Sequence, residues 1–205
     1  MTEVIIFATG LFAIINPLAL LPLYQDAVSV YPAEVRRRMV VRTTLATGIF
    51  LLIIVWFGAA ILTGLQIEIG SMQIAGGVIM FRAALAMLEP EDKQLKKDEQ
   101  EQLESAAWSA QAVVPLAIPF TVGGGTMAYI IASTVGLDQS GLIIMSLVCV
   151  FTAALVGLMY QFGRYLLEAL GPIGTRIIVR ISGIILIAMS IQLVAGGARR
   201  LFLPV

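Results

Sequence analysis

Residues 4–24 read VIIFATGLFAIINPLALLPLY, an uninterrupted run of side chains without charge. A helix of about 20 apolar residues spans the roughly 30 Å hydrocarbon core of a bilayer. The run therefore predicts a membrane-spanning helix at the start of the chain. The helix-breaking pair Asn16-Pro17 lies near the middle of this run, and Pro22 follows about one turn later.

The composition of the whole chain fits several such helices. Hydrophobic residues make up 59% and charged residues 13% of the 205 residues, whereas soluble domains carry about 25% charged residues. Six segments are long and apolar enough to span a bilayer: 4–24, 43–65, 72–88, 108–135, 141–162 and 177–197. The sequence therefore predicts an all-α integral membrane protein with six transmembrane helices.

Lysine and arginine are distributed unequally between the two ends of these segments. The first, third and fifth loops carry Arg36, Arg37, Arg38, Arg42, Lys93, Lys96, Lys97, Arg164, Arg176 and Arg180. The other side carries Arg199 and Arg200 at the C-terminus. Because cytoplasmic loops are enriched in basic residues, we expect both termini to lie outside. In a bacterial or archaeal inner membrane this side is the periplasmic one.

The two halves of the sequence resemble each other. Residues 13–20 (AIINPLAL) recur in reduced form at 112–118 (AVVPLAI), Phe57-Gly58 at Phe162-Gly163, and 73–76 at 180–183. Because each half holds three spans, an odd number, the second copy must be inserted upside down. We predict a first three-helix repeat over 1–88, a charged cytoplasmic connector over 89–107 and an inverted repeat over 108–205. Inverted repeats are typical of secondary transporters.

The first span of each half is broken by proline or glycine. The first break contains Asn16-Pro17, and the second contains Pro115, Pro119 and Gly123-Gly124-Gly125. Proline removes an N–H and clashes with the preceding turn, so a break in lipid persists where protein or a cavity satisfies the freed groups. Discontinuous helices form the substrate sites of many transporters, although a single proline often only kinks a helix.

We predict a site between these breaks. Asn16 would cap a half-helix that starts at Pro17, and Thr126 would cap another. The free amides of such a start suit a carboxylate, and carbonyls released by the prolines suit an ammonium group or a cation. The residues predicted to bind substrate are Asn16, Pro17, Pro115, Pro119, Gly123, Gly124, Gly125 and Thr126. Those predicted to bind an ion or line the cavity are Ala13, Leu18, Gln111, Thr121 and Gln192.

Charged residues restrict the substrate. No Asp or Glu lies near the middle of a predicted span, so a strongly charged solute would lack a counter-ion. A neutral or zwitterionic solute fits better, and Na⁺ is a more natural coupling ion than a proton. Arg82 lies inside the third span, where the interpretation stays open: its side chain snorkels to the cytoplasmic surface, or it forms a cytoplasmic gate or contacts a carboxylate.

Other classes of function lack the residues they need. The chain has no histidine and a single cysteine, Cys149, and its formal net charge is zero. Imidazole chemistry and cysteine or histidine metal clusters are thereby excluded, and nothing indicates a nucleic-acid partner. We expect no enzymatic activity and no cofactor. The expected partners are the lipid bilayer and a small zwitterionic solute.

Three segments resemble a known family. Residues 16–22 (NPLALLP), 73–77 (QIAGG) and 115–119 (PLAIP) with its glycine-rich continuation are similar to motifs of the MarC family of bacterial and archaeal membrane proteins. The resemblance covers essentially the whole chain. It implies a six-span inner-membrane protein and transport of small neutral amino acids such as glycine and alanine. The family pattern has Gly-Pro-Gly where this chain has Gly123-Gly124-Gly125, and an apolar residue at Arg82.

Three functional hypotheses follow. The first is a secondary transporter of small neutral amino acids that works by alternating access of the two repeats. The second is an exporter of small amphipathic metabolites on the same scaffold. The third is a non-transporting scaffold or regulator that uses the charged loop at 89–105 for docking. Deletion of that loop separates the last hypothesis from the first two.

Overall fold

A computed structural model describes residues 2–29, 31–88 and 123–202. In these ranges 93% of the residues are helical and none lies in a strand, which confirms the all-α class. The helices are α1 (Thr2–Ile15), α2 (Pro17–Ser29), α3 (Ala33–Gly64), α4 (Ile69–Leu88) and α5 (Gly124–Thr134). The helical stretch Gln139–Phe202 is divided by a kink at Gly171, and we call its two parts α6 (139–170) and α7 (172–202).

The described helices are those of a membrane protein. The stretches Thr2–Pro22, Ala33–Gly64, Ile69–Leu88 and Gln139–Phe202 are long and apolar enough to cross a bilayer. Their outward faces carry large apolar side chains, among them Leu147 and Phe151, which are 65% and 68% exposed. Contiguous apolar surface of this extent is not stable in water, so these faces contact lipid. The connector at 89–107 and the first part of the fourth predicted span, 108–122, lie outside the described residues.

Several helices extend beyond the predicted spans. Helix α3 begins at Ala33, ten residues before the predicted start at 43, and therefore includes Arg36 and its basic neighbours. Arg164 and Arg176 likewise lie in helices α6 and α7 rather than in a loop. Hydropathy indicates where a helix enters the hydrocarbon core of the bilayer. The helix itself continues into water as long as its backbone hydrogen bonds form. At the end of α6, Arg164 Nε lies 2.8 Å from Glu168 Oε1, one turn later.

The junction of α6 and α7 is a single residue. Gly171 has φ 65° and ψ 175°, a combination that is essentially restricted to glycine. Pro172 follows and starts α7, because its fixed φ suits the first turn and its missing N–H has no intrahelical acceptor there. The chain thus reverses direction without a loop. We call the side where α2 ends, α3 begins and α6 meets α7 the basic side.

Two short turns lie at the opposite side. Helix α3 ends with the amide of Ile67 bonded to the carbonyl of Leu62 at 2.8 Å and that of Gln66 to Thr63 at 3.1 Å, the two bonds of a Schellman motif. Gln66 occupies its left-handed position, with φ 57°. Helix α6 is capped by Asp138, whose carboxylate accepts bonds from Ser140 Oγ at 2.7 Å and from the Gly141 amide at 3.0 Å.

Helices α4 and α7 pack antiparallel along small residues seven positions apart. Gly70, Gly77 and Ala84 on α4 face Gly197, Ser190 and Gly183 on α7. A Cβ at Gly77 would lie 2.9 Å from the Ser190 carbonyl oxygen, and one at Gly70 would lie 2.8 Å from that of Gly197. Small side chains allow the two backbones to approach, which is how many helices associate in membranes.

Helices α3 and α6 form a second antiparallel pair, and α5 lies beside α3 and α4. Trp56 Nε1 donates to Ser146 Oγ at 3.0 Å, toward the end of the α3–α6 pair that lies opposite the basic side. Gly58 of α3 receives Ile131 of α5, because a Cβ there would lie 3.0 Å from the Ile131 Cδ1 atom. The core thus surrounds the short helix α5 and the broken pair α1–α2.

Candidate functional site

The first predicted break is a one-residue interruption at Asn16. Its φ is 48°, in the left-handed region that asparagine tolerates better than most residues. The Asn16 amide donates to the Phe12 carbonyl at 2.9 Å and so closes α1, while its own carbonyl accepts from Ala19 at 3.2 Å and Leu20 at 3.3 Å and so opens α2. Pro17 offers no N–H, so the last carbonyls of α1 lose their usual donor.

The second break lies at the start of α5. Gly123 is extended, with φ −79° and ψ 174°, and caps the helix that begins at Gly124. The amide of Met127 donates to the Gly123 carbonyl at 3.1 Å, which leaves the amides of Gly124, Gly125 and Thr126 without an intrahelical acceptor. This start lies against α4, because a Cβ on Gly76 would lie 3.0 Å from the carbonyl carbon of Gly124.

Helices α1 and α5, which carry the two breaks, contact each other. Tyr129 of α5 stacks on Phe7 of α1 with ring centroids 5.7 Å apart, and a Cβ at Gly10 would lie 2.7 Å from the Tyr129 ring. The helices run in opposite directions there. From the Gly10–Tyr129 contact, six residues forward reach Asn16 and six residues back reach Gly123, a rise of about 9 Å along each helix.

Polar groups at the two breaks are enclosed. Asn16 is 8% exposed and Thr126 3% exposed. The Asn16 Nδ2 atom lies 4.0 Å from Met87 Sδ, a long contact to a weak acceptor. No Asp or Glu occurs within eight positions of Asn16 or Gly123 in the sequence. The described part of the site is therefore uncharged, with a carboxamide, a hydroxyl, free amides and released carbonyls as its polar groups.

Comparison with known proteins places the chain among integral membrane proteins. The family described as "MarC family integral membrane protein" matches residues 1–202. The chain belongs to the MarC family.

Curated relatives agree over nearly the whole length. The chain is 28% identical over 197 residues to a UPF0056 membrane protein of Pyrococcus horikoshii, with 96% of this chain and 94% of that protein covered. It is 29% identical over 198 residues to the UPF0056 membrane protein YhcE of Escherichia coli, with 96% and 92% covered. It is 26% identical to YvbG of Bacillus subtilis over 94% of this chain. No solved structure matches.

Part of the predicted site of this MarC protein is buried at the two breaks. Asn16 and Pro17 are buried at the first break, and Gly125 and Thr126 are buried at the second. Ala13, Leu18, Gly123 and Gly124 lie beside them and are half-buried. Gln111, Pro115, Pro119 and Thr121 lie outside the described residues. Their predicted roles, like those of the described residues, stay predictions.

Two predicted residues lie elsewhere. Gln192 of α7 and Arg82 of α4 are both exposed on the outward faces of their helices, away from the enclosed groups at the breaks. Arg82 is six residues from the end of α4 at the basic side, about 9 Å along the helix. The interpretations of Arg82, a snorkelling side chain or a gate, stay predictions.

Sequence reasoning missed a set of buried hydroxyls on the basic side. Tyr24, Thr43, Thr47 and Tyr160 are each at most 2% exposed, and the Tyr24 and Tyr160 rings stack with centroids 4.0 Å apart. The signal was available in the sequence as TTLAT at 43–47, which places hydroxyls on successive turns of a span. Nothing in the sequence, however, pairs Tyr24 with Tyr160.

Proposed function

We propose that this MarC family protein is a secondary transporter that carries small neutral amino acids of the glycine and alanine type by alternating access. The observation that carries the proposal is that each half of the chain has a helix interrupted among buried residues, at Asn16 and at Gly123. Two helix starts and one helix end lie at these interruptions. Transporters built from discontinuous helices bind substrate at such interruptions.

The polar groups at the breaks complement a zwitterion. The free amides of Gly124, Gly125 and Thr126 would bind the carboxylate, since a helix start carries partial positive charge. The carbonyls at the end of α1, among them Ala13, would accept the ammonium group. Asn16 lies at the end of α1, and its carboxamide can donate and accept. The absence of nearby acidic side chains in the sequence favours a solute without net charge.

The packing supports an inverted repeat, an architecture that many alternating-access transporters share. Gly58 of α3 receives α5 through Ile131, and Gly163 of α6 receives α2 through Leu21 and Gln25. These glycines belong to the two Phe-Gly pairs that match between the halves of the sequence. Gly58 and Gly163 therefore each accommodate a half-helix of the other repeat. The antiparallel pairs α3–α6 and α4–α7 are what a two-fold axis in the membrane plane would generate.

Sodium coupling is part of the proposal. Thr126 supplies a buried hydroxyl, and the break at Asn16 supplies carbonyl oxygens, which are hard ligands of the kind that alkali cations bind in transporters. No carboxylate lies close in sequence to carry a coupling proton. We therefore expect an Na⁺ gradient, rather than a pH gradient, to drive accumulation.

Uptake into proteoliposomes tests the function. Purified protein is reconstituted, and entry of radiolabelled alanine and glycine is followed with an inward Na⁺ gradient, with an inward proton gradient and with neither. We expect accumulation above protein-free liposomes that depends on Na⁺. Absence of uptake under all gradients, with insertion verified, would remove the amino-acid assignment.

Variants at the break connect uptake to the site. Asn16→Gly preserves the positive φ and removes the carboxamide, whereas Asn16→Ala adds backbone strain of about 1 kcal/mol. We expect both variants to lose uptake while they still insert. Thr63→Ala is a matched control, because Thr63 is exposed and its hydroxyl bonds only one turn back, to Ala59 O at 2.9 Å. It should transport like the unmodified protein.

A further inference from the structure

A cluster of hydroxyl groups lies between α2, α3 and α6, on the basic side of the breaks. It consists of Tyr24, Thr43, Thr44, Thr47 and Tyr160. Thr43 and Thr47 are fully buried, and the two tyrosines are 2% exposed. Thr44 contacts Gly157 of α6, and Tyr24 stacks on Tyr160 with an angle of 5° between the rings. Three helices thus contribute polar groups to one enclosed region of a membrane protein.

Two of these oxygens lack a hydrogen-bond partner. The hydroxyl oxygens of Thr44 and Thr47 are buried and unbonded in the structure, whereas the Tyr24 hydroxyl is hydrogen-bonded with Thr43. Hydroxyls on membrane helices commonly bond to a carbonyl one turn back. Thr134 and Thr152 do so here, at 2.9 Å and 2.8 Å. Because an unbonded polar group inside a membrane is costly, the hydroxyls at 44 and 47 indicate a polar occupant.

The cluster leads from the breaks toward the basic side. Tyr24 lies eight residues after Asn16 on α2, about 12 Å along the helix. Thr47 lies four residues beyond Thr43 on α3, in the direction of the breaks and on the same face. Thr43 is next to Tyr24. Thr47 is therefore at a depth between the tyrosine pair and Asn16.

The tyrosine pair closes the basic end of this region. Gln25 Nε2 donates to the Tyr160 carbonyl oxygen at 2.8 Å, and Gly163 leaves room for Leu21 and Gln25. These contacts hold α2 against α6. The rings themselves stack with an angle of 5° between their planes. Because both tyrosines belong to the main hydrophobic core, opening requires α2 and α6 to move apart.

We propose that these hydroxyls form a solute subsite on the basic side of the breaks, with the Tyr24–Tyr160 pair as its gate. This inference rests on the proposed transport function for the identity of the solute, a small zwitterion. Hydroxyls suit such a ligand, because each can donate to a carboxylate and accept from an ammonium group. Water fills the subsite when the solute is absent. Opening of the tyrosine pair connects it to the aqueous phase on the basic side.

Cysteine accessibility tests the subsite without any transported solute. In a Cys149→Ser background, Thr47→Cys is treated in nanodiscs with a small, charged methanethiosulfonate reagent, and labelling is followed by mass spectrometry. Thr152→Cys is the matched control, because Thr152 is equally buried and its hydroxyl is bonded. We expect slow labelling at 47 with the gate intact. Labelling should be about tenfold faster or more with Tyr160→Ala, since access limits thiol reactions.

Each outcome decides the proposal. Tyr160→Phe retains the ring and should leave labelling at 47 slow, and Thr152→Cys should not react in either background. Labelling at 47 that stays as slow as at 152 after Tyr160→Ala would show that no hydrated subsite exists. Labelling at 47 that is fast with both tyrosines present would show that the pair is not its gate.

Two further points keep this test separate from the transport proposal. If Tyr160→Ala fails to insert, Tyr24→Ala opens the same contact from the other ring and is judged by the same rates. Gate-dependent labelling in a protein that takes up neither alanine nor glycine would support the subsite and contradict only the amino-acid assignment. Uptake without gate-dependent labelling would contradict the subsite and leave transport standing.

Discussion

At the scale of single residues, Asn16 interrupts a helix at a point that hydropathy does not reveal. It ends one helix and begins the next, with a positive φ and a buried carboxamide. The Asn-Pro pair predicted this break, because asparagine caps helices and proline starts them. The corresponding position of the second break is Gly123, where an extended glycine caps α5. Asn16 thus both interrupts the helix and supplies a polar side chain to the candidate site.

Asp138 is the second residue whose local bonds have a measurable effect. Bonds from the Ser140 hydroxyl and the Gly141 amide lower the pKa of its carboxyl from the ordinary value of 3.8. A lowered pKa in the folded protein stabilises it above the unfolded-state pKa, and this contribution is lost as the pH falls through the folded-state value. We expect the melting temperature in detergent to decrease as the pH falls below about 4, because this stabilisation is lost. Asp138→Asn should reduce that part of the pH dependence, and an identical pH profile in the variant would contradict the assignment.

At the scale of elements, the α6–α7 junction depends on one backbone conformation. Gly171 has open space around it, so a substitution there is limited by its φ and ψ rather than by contacts. We expect Gly171→Ala to destabilise the protein by about 1–3 kcal/mol, seen as a lower melting temperature. Gly64→Ala is the control, since Gly64 is helical and also has open space. Equal melting temperatures for the two variants would contradict this account of the junction.

The α4–α7 pair depends on small side chains at its contact. A Cβ at Gly77 would lie 2.9 Å from the Ser190 carbonyl oxygen and 3.2 Å from the Val194 amide nitrogen, and backbone atoms cannot move aside singly. We expect Gly77→Val to destabilise the protein by about 1–3 kcal/mol through overpacking. Ala75→Val, two residues away on the exposed face of α4, should leave the melting temperature in detergent unchanged. An equal loss in both variants would count against close packing as the cause.

At the scale of the whole molecule, apolar runs predicted which segments are helical, and packing between helices supplied the rest. Hydropathy missed the start of α3 at Ala33 because the first turns of that helix carry arginines. The motif at Asn16 predicted the first break, yet the packing of α1 against α5 depends on the contact of Gly10 with Tyr129. The Tyr24–Tyr160 pair joins residues far apart in the chain, so no local pattern could have shown it.

The orientation of the molecule follows from its arginines. Arg36, Arg37 and Arg38 lie at the start of α3 on the basic side, and Ser140 lies on the opposite side. Because basic residues favour the cytoplasm, we expect Ser140→Cys to react with an impermeant maleimide in intact cells. Arg37→Cys should react only after the membrane is permeabilised. The reverse pattern would show the opposite orientation, with both termini in the cytoplasm.

Binding of labelled alanine to the purified protein tests the central claim most directly, namely that the paired breaks form the substrate site. The comparison uses the unmodified protein, Asn16→Gly and Thr63→Ala at equal amounts and with verified folding. The account predicts saturable, Na⁺-dependent binding to the unmodified protein and to Thr63→Ala, and its loss in Asn16→Gly. Equal binding to all three proteins would show that alanine binds elsewhere and would contradict the site.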